Sequence, residues 1–384
     1  MPRSKGAAPI QLELTTSIAA VDAAEWNACA GENNPFLRHE FLLACEQSGS
    51  ASADAGWQPA HLIARPSDKA PASGILPGYV KSHSRGEFVF DHGWADAFER
   101  AGGSYYPKLQ HAVPFTPATG PRILASDSET RGLLLSGAEE VCRQHGLSSA
   151  HSTFFEEDEL AYYEAKDWLI RTGEQFHWFN RGYGSFDEFL DALASRKRKA
   201  IRKERRAAAT SGVDIVQLEG GEITEADWDD FWVFYQDTGA RKWGSPYLTR
   251  EAFSLFSELM PERLLLVLAK RNGKSVAGAL NFVGGDCLFG RYWGTVEDIP
   301  FLHFELCYYQ AQDAAIARGL SRVEAGAQGP HKLARGYEPV RTYSAHWIAN
   351  PGLRAAVSDF LDHERAAVEQ DVEALKAFTP FKKG

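Results

Sequence analysis

The chain has 384 residues, of which 44 % are hydrophobic and 24 % charged; this is globular composition and excludes disorder over most of the length. Its formal net charge is −10, so any contact with a polyanion requires a local basic patch. The longest purely aliphatic run, Leu264–Ala269, is too short for a bilayer.

In chain order, residues 1–9 read as a loose tail, followed by a strand at Ile10–Leu14 and helices at Ala20–Cys29 and Arg38–Ser48. A strand pair, Pro59–Arg65 and Ile75–Lys81, flanks the turn-rich PSDKAPASG, and Glu87–Phe90 reads as a further strand. Leu133–His145 is a predicted helix stopped by Gly146; Ser149–Phe155 and Phe176–Phe179 are predicted strands. Arg181–Gly184 marks a short polar boundary, and the pattern begins again. Ser185 caps a helix to Leu193 with Glu188 three residues on, and Ser195–Thr210 is a strongly basic helix. A strand at Val213–Leu218 precedes helices at Ala226–Gly239 and Thr249–Met260. Leu264–Lys270 and Ser275–Val283 form a hairpin across Asn272-Gly273, and Cys287–Trp293 is the next strand. Phe301–Arg318 is a long helix ended by Gly319, with strands at Arg322–Ala325 and Arg341–Ile348 and an amphipathic helix at Ala355–Phe378. Glu13, Asp22 and Glu25 interrupt any leader, and five widely spaced cysteines without a CxxC fit a reduced, cytoplasmic protein.

Three segments carry a family resemblance: NPFLRHEFLLACEQSG near the start, Ser195–Gly220 (SRKRKAIRKERRAAATSGVDIVQLEG), and His303–Ile348. They resemble the bacterial FemAB-like proteins, described as N-acyltransferases. The resemblance implies an α/β (α+β) fold of tandem GNAT-like domains, each a mixed, mostly antiparallel sheet flanked by helices. It divides the chain into a first, acceptor-side domain at 10–180, a second at 181–350 and a C-terminal helix at 351–384. It further implies transfer of an acyl or aminoacyl group to an amine, the best-known relatives using aminoacyl-tRNA and peptidoglycan precursors.

Such a transfer needs a base for the ammonium nucleophile and a donor to the carbonyl or leaving group. Glu324, His331 and His346 are the candidate bases, with Tyr343 and Tyr337 the candidate acids. In the basic helix, Arg198, Arg202 and Arg205 share one face and Lys199, Lys203 and Arg206 the next, a pattern suited to phosphates. Arg198, Lys199 and Arg202, with Gln328, Gly329 and Lys332 of the GAQGPHK loop, are therefore candidates for the donor. The polar, aromatic loops of the first half nominate Lys81, His83, Arg85, His92 and Lys108 for the acceptor. Arg291, Trp293, His303 and Glu305 complete that set.

The resemblance is imperfect at one point. GNAT enzymes that use acetyl-CoA cradle its diphosphate with a glycine-paired loop before the helix. Here that junction reads WGTVEDIPFLHF, with Glu297 and Asp298 where phosphate would sit. Acyl-CoA is the expected co-substrate, with aminoacyl-tRNA as the alternative and a non-catalytic recognition module of the same fold as a third reading. No tightly bound cofactor, metal or membrane span is expected, and an RNA contact would run through residues 195–210.

Overall fold

The computed structural model describes residues 10–67, 70–242, 246–326, 329–376 and 378–382. An eleven-stranded sheet crosses the whole molecule. From edge to edge its strands are Asp214–Glu219, Leu264–Arg271, Lys274–Gly284, Cys287–Thr295, Arg322–Glu324, Leu169–Phe179, Tyr337–Ile348, Ser149–Phe155, Lys108–His111, Tyr79–Lys81 and Trp57–Pro59. A four-stranded sheet, Gln11–Thr15, His61–Arg65, Gly74–Leu76 and Leu124–Ala125, sits beside it.

Each half repeats one scheme. An antiparallel run leads into a parallel pair, and a long helix bridges that pair. In the first half Lys108–His111 lies parallel to Ser149–Phe155 across the helix Ser128–His145. In the second, Cys287–Thr295 lies parallel to Arg322–Glu324 across Leu302–Ala317. The right-handed crossover that a parallel pair requires supplies the helix in both. The result is the tandem GNAT-like arrangement, two mixed sheets flanked by helices and fused edge to edge.

The fusion is an exchange. Leu169–Phe179, which precedes the polar boundary in sequence, pairs with Arg322–Glu324 of the second half. Tyr337–Ile348, from the second half, inserts between Leu169–Phe179 and Ser149–Phe155. Side chains complete the join: Phe41 stacks on Phe256 at 5.1 Å, and Phe36 meets Phe282 and Phe289 at 5.0 and 5.2 Å. These rings belong to one continuous core, which absorbs much of the aromatic content.

Several expected elements differ in detail. The strand pair expected at 59–81 is broken on both sides, because Pro59 and Pro77 lack amide hydrogens and Gly78 comes so close to Ala60 that a Cβ would lie 2.6 Å from its carbonyl oxygen. The outer parts, His61–Arg65 and Gly74–Leu76, join the small sheet; the inner parts join the large one. Glu87–Phe90 is not a strand: Phe88 adopts φ +61° and Glu87 turns into the interior. The predicted hairpin holds, with Asn272 at φ +51° and Gly273 at φ +77°.

Helix Glu225–Lys242 lies directly on the sheet at Gly294, where a Cβ would sit 2.0 Å from the Phe234 carbonyl oxygen. Gly294→Ala is therefore expected to destabilise the protein by about 1–3 kcal/mol, read as a lower urea midpoint. An unchanged midpoint would contradict this packing.

Candidate active site

The parallel ladder of the second half runs from Cys287↔Arg322 to Phe289↔Glu324 and ends there. Gly290–Thr295 continues as strand while its neighbour leaves the sheet after Glu324, so the two part and open a fork. On the other flank a bulge between Leu280 and Asn281 re-aims the strand beside the fork. Arg291 and Glu324 form the fork's base, each side chain 2 % exposed, with Arg291 Nη2 3.1 Å from Glu324 Oε2. The guanidinium also lies 5.2 Å from the Phe36 ring and 5.0 Å from Phe289. Glu324, a candidate base by sequence, is thus a buried, ion-paired strut. Arg291, proposed for substrate, is its partner. Asn281, Gln175 and His177 surround them as buried polar groups, and Asn281 Oδ1 and Glu324 Oε1 lack hydrogen-bond partners. Arg322 Nε stands 3.5 Å from Glu324 Oε1, an ionic contact only. Burial pulls His177 down to about 4, with Glu324 opposing.

The rim above the fork is aromatic. Helix Leu302–Ala317 starts behind Phe301, held at φ +65°, and contains a π turn over Glu305–Tyr309. The turn shifts the helical register away from 3.6 residues per turn. Tyr308 meets His331, hydroxyl to Nε2, at 2.8 Å. Burial pushes the Tyr308 phenol far up, so it stays protonated. The His331 imidazole is held against Gly329, at φ +121°, where a Cβ would lie 2.5 Å from His331 Cε1. Gly329, assigned to a donor by sequence, makes room for this ring. Trp293 packs on His303 at 5.2 Å and Phe304 on Tyr308 at 6.0 Å, forming one wall. His331 itself is exposed. Lys332 is 2 % exposed and donates to the Gly326 carbonyl at 2.8 Å, which turns the ammonium inward. Gln328 lies outside the described residues. Glu305 is buried, accepting from Arg205 at 3.0 Å and Gln310 at 2.8 Å, and is not presented to a substrate. Tyr337 is fully buried beside Tyr308. Tyr308 and Phe304 were not singled out by sequence; the HFELCYY run was the signal.

The basic helix, Ser195–Ala209, divides by face. Arg198 pairs with Asp191 at 2.8 Å, Arg202 with Asp187 at 3.1 Å, and Arg205 with Glu305 and Asp313 at 3.0 and 2.6 Å. Two expected donor contacts, Arg198 and Arg202, are therefore used within the protein. Lys199, Lys203 and Arg206, joined by Arg196, are exposed and have no carboxylate partner among the described residues. At about 100° per residue these four fall within an arc of about 80°, opposite the buried Ile201 and Ala208.

His346 is elsewhere. Its strand partner on Leu169–Phe179 is Leu169, whereas that of Glu324 is His177, eight residues along. At about 3.3 Å per residue the two backbones stand about 26 Å apart and cannot serve one reacting atom. His346 joins a buried network of the first half: its Nδ1 meets His151 Nδ1 at 2.7 Å, so one ring donates and the other accepts. His151 reaches Ser149 Oγ at 2.7 Å and the Tyr105 hydroxyl at 3.4 Å, and Tyr105 donates to Asp91 at 2.7 Å. Lys108 donates to Ser84, Glu87 and Asp91 at 2.9, 2.7 and 2.5 Å, which occupies all three of its hydrogens. Lys81, also fully buried, lies 3.7 Å over the Trp57 ring and is pulled down to about 7 by burial. Lys81 and Lys108 are both enclosed in the interior of the first half and are not on the surface expected for acceptor contacts. His83 is half-buried and bonded to the Ala55 carbonyl at 3.0 Å; Arg85 and His92 are exposed. Tyr343 points to the face opposite His346 and donates to Glu157 at 3.0 Å, away from both clusters. The matching position of the first half is filled by its own chain: buried Arg122 donates to the carbonyls of Thr153, Gly120 and Ala118 at 2.7–2.8 Å.

A neutral imidazole held below its ordinary value gains its proton only on unfolding. The unfolded chain then binds more protons, and stability falls as pH drops from about 6.5 toward about 4. His177→Gln is expected to make that fall shallower by about 1.4 kcal/mol per pH unit, measured by urea unfolding. Parallel curves for variant and parent would contradict it.

Comparison with solved structures finds the same architecture. FemX aligns with a TM-score of 0.57 at 12 % identity, over 90 % of this chain and 100 % of that one. L-PGS from Bacillus licheniformis aligns with a TM-score of 0.51 at 10 % identity, over 86 % and 98 %. A conserved protein of unknown function from Bacteroides thetaiotaomicron aligns with a TM-score of 0.50 at 12 % identity, over 88 % and 99 %. At these identities the likeness is one of fold. No curated protein matches the sequence. A family profile described as peptidoglycan biosynthesis or recognition, FemAB-like, matches residues 17–383. The chain belongs to the FemAB-like family.

Proposed function

We propose that the protein transfers an aminoacyl group from a charged tRNA to an amine of a peptidoglycan precursor, at the fork of the second half. The observation that carries this reading is the His331–Tyr308 pair at the rim of the fork, beside a helix whose outer face is a cationic stripe with no carboxylate partner among the described residues. Family membership supports the peptidoglycan side.

The chemistry follows from the groups present. The incoming ammonium loses one proton to solvent to become a nucleophile, and its nitrogen attacks the ester carbonyl carbon. As the C–N bond forms and the C–O bond to the ribose breaks, His331 takes the second amine proton and returns it to the leaving oxygen. The protonated Tyr308 hydroxyl holds the imidazole in orientation. The aromatic wall of Trp293, His303 and Phe304 offers stacking surfaces for a base at the end of a single strand.

Acyl-CoA is the weaker donor. The first helical amide, Leu302 N, donates to Ile299 O at 3.2 Å, and Glu297 pairs with Arg271 in the loop before the helix. A diphosphate there would meet a carboxylate and an amide already in use.

The test supplies charged tRNA, or acetyl-CoA, together with a peptidoglycan stem-peptide amine and reads amide formation by mass spectrometry. The expected result is one aminoacyl addition with charged tRNA and none with acetyl-CoA. Acetyl transfer alone, or binding with no transfer, would overturn the reading. His331→Ala is expected to lower kcat by about 10²–10⁴-fold. Replacing Arg196, Lys199, Lys203 and Arg206 by Ala is expected to flatten the log–log salt dependence of tRNA affinity by about 3, since four phosphate contacts are lost. An unchanged slope would remove the RNA contact from this helix.

A further inference from the structure

One arginine joins the basic helix to the imidazole at the fork. Arg335 ends the short turn Pro330–Arg335 and is 6 % exposed. Its Nη2 faces both carboxylate oxygens of Glu204, on the basic helix, at 3.0 Å each. Its Nη1 donates to the His331 carbonyl at 2.8 Å. The guanidinium lies over Phe304, 3.4 Å from the ring centroid, and Phe304 in turn packs against the His331 ring at 5.8 Å. Gln312 holds the Arg335 carbonyl from the helix beyond the π turn, at 2.9 Å. Glu204 also accepts from Tyr309, inside the π turn. Arg335 thus touches the backbone of His331, the ring beside it and the helix that bears the cationic stripe, but not the imidazole nitrogens.

We propose that Arg335 is a positioning residue: through its paired contact with Glu204 it sets the orientation of the His331 imidazole from the basic helix. The inference rests on the transfer reading above only for its catalytic consequence. Its structural claim concerns His331 alone. An arginine suits the place because one guanidinium reaches Glu204 through Nη2 and the His331 carbonyl through Nη1 while lying over Phe304; a single ammonium nitrogen keeps the charge and cannot span these three contacts. Placement matters because a reacting group displaced by about 1 Å can cost about 100-fold in rate. The groups facing His331 are Tyr308 and His303 from the helix, Phe304 beside them, and Arg335 from its own turn.

The experiment uses the full chain with ¹⁵N-labelled histidine and two variants, Arg335→Lys and Glu204→Gln. The second removes the tie from the helix side and leaves Arg335 in place. Two readouts are taken: the ¹⁵N shifts of the His331 ring across pH, and kcat and KM with charged tRNA. Both variants are expected to shift the His331 tautomer balance and titration. Both are also expected to lower kcat by about 10-fold or more while KM for charged tRNA stays within about twofold, because the stripe is intact. Unmoved His331 signals in both folded variants would overturn the inference, and so would equal changes in kcat and KM. Moved His331 signals in a protein that transfers nothing would uphold the positioning role and overturn the transfer reading.

Discussion

The ladder between Leu169–Phe179 and Tyr337–Ile348 is the constraint on which the rest of the molecule depends. Each strand is hydrogen-bonded on both edges, one to the second half and one to the first. Along Leu169–Trp178 and Tyr337–His346 the two strands are therefore committed to each other across a long stretch of chain. The halves cannot separate without breaking this ladder and the Phe36–Phe41 aromatic join together. The exchange also fixes where chemistry can occur. It carries His346 into the first half and leaves Glu324 at the fork of the second, about 26 Å away.

The two halves share a scheme and differ in what fills it. In the first, Arg122 satisfies the carbonyls at the matching position and the neighbouring interior holds a closed network around Lys108 and Asp91. Burial pushes Glu87 up to about 7, while Lys108, working against burial, holds Asp91 below the usual carboxylate range; the cluster reads as a braced interior, not a docking site. In the second, the strands part over Arg291 and Glu324, and among the described residues no pairing carries their ladder past Phe289 and Glu324. The π turn and the left-handed Phe301 are departures from regular structure beside that opening. Such departures are frequent at functional sites, and this π turn carries Tyr308 against His331.

Local signals in the sequence were the legible ones. Asn272-Gly273 specified its hairpin, Gly146 and Gly319 ended their helices at φ +65° and +66°, and Ser185 capped the next helix. The division of the basic helix into two faces was also readable, since it needs only the helical period. What eluded the sequence were properties of distant pairing. Glu324, Tyr343 and His346 are close in sequence, yet strand exchange sends them to three environments. Lys81 and Lys108 look like surface cations until Glu87 and Asp91 fold onto them. The π turn interrupts the single long helix read over Phe301–Arg318, and Arg335 carried no signal because its role arises only from Glu204 and Phe304.

The most direct test of the fork as the transfer site is a crystal structure with a stable 3′-aminoacylamido-adenosine, an analogue of the donor terminus. The account expects its adenine on the wall formed by Trp293, His303 and Phe304, with its carbonyl group within hydrogen-bond reach of His331. Density for the analogue beside Lys81 and Asp91 in the first half, with the fork empty, would contradict it.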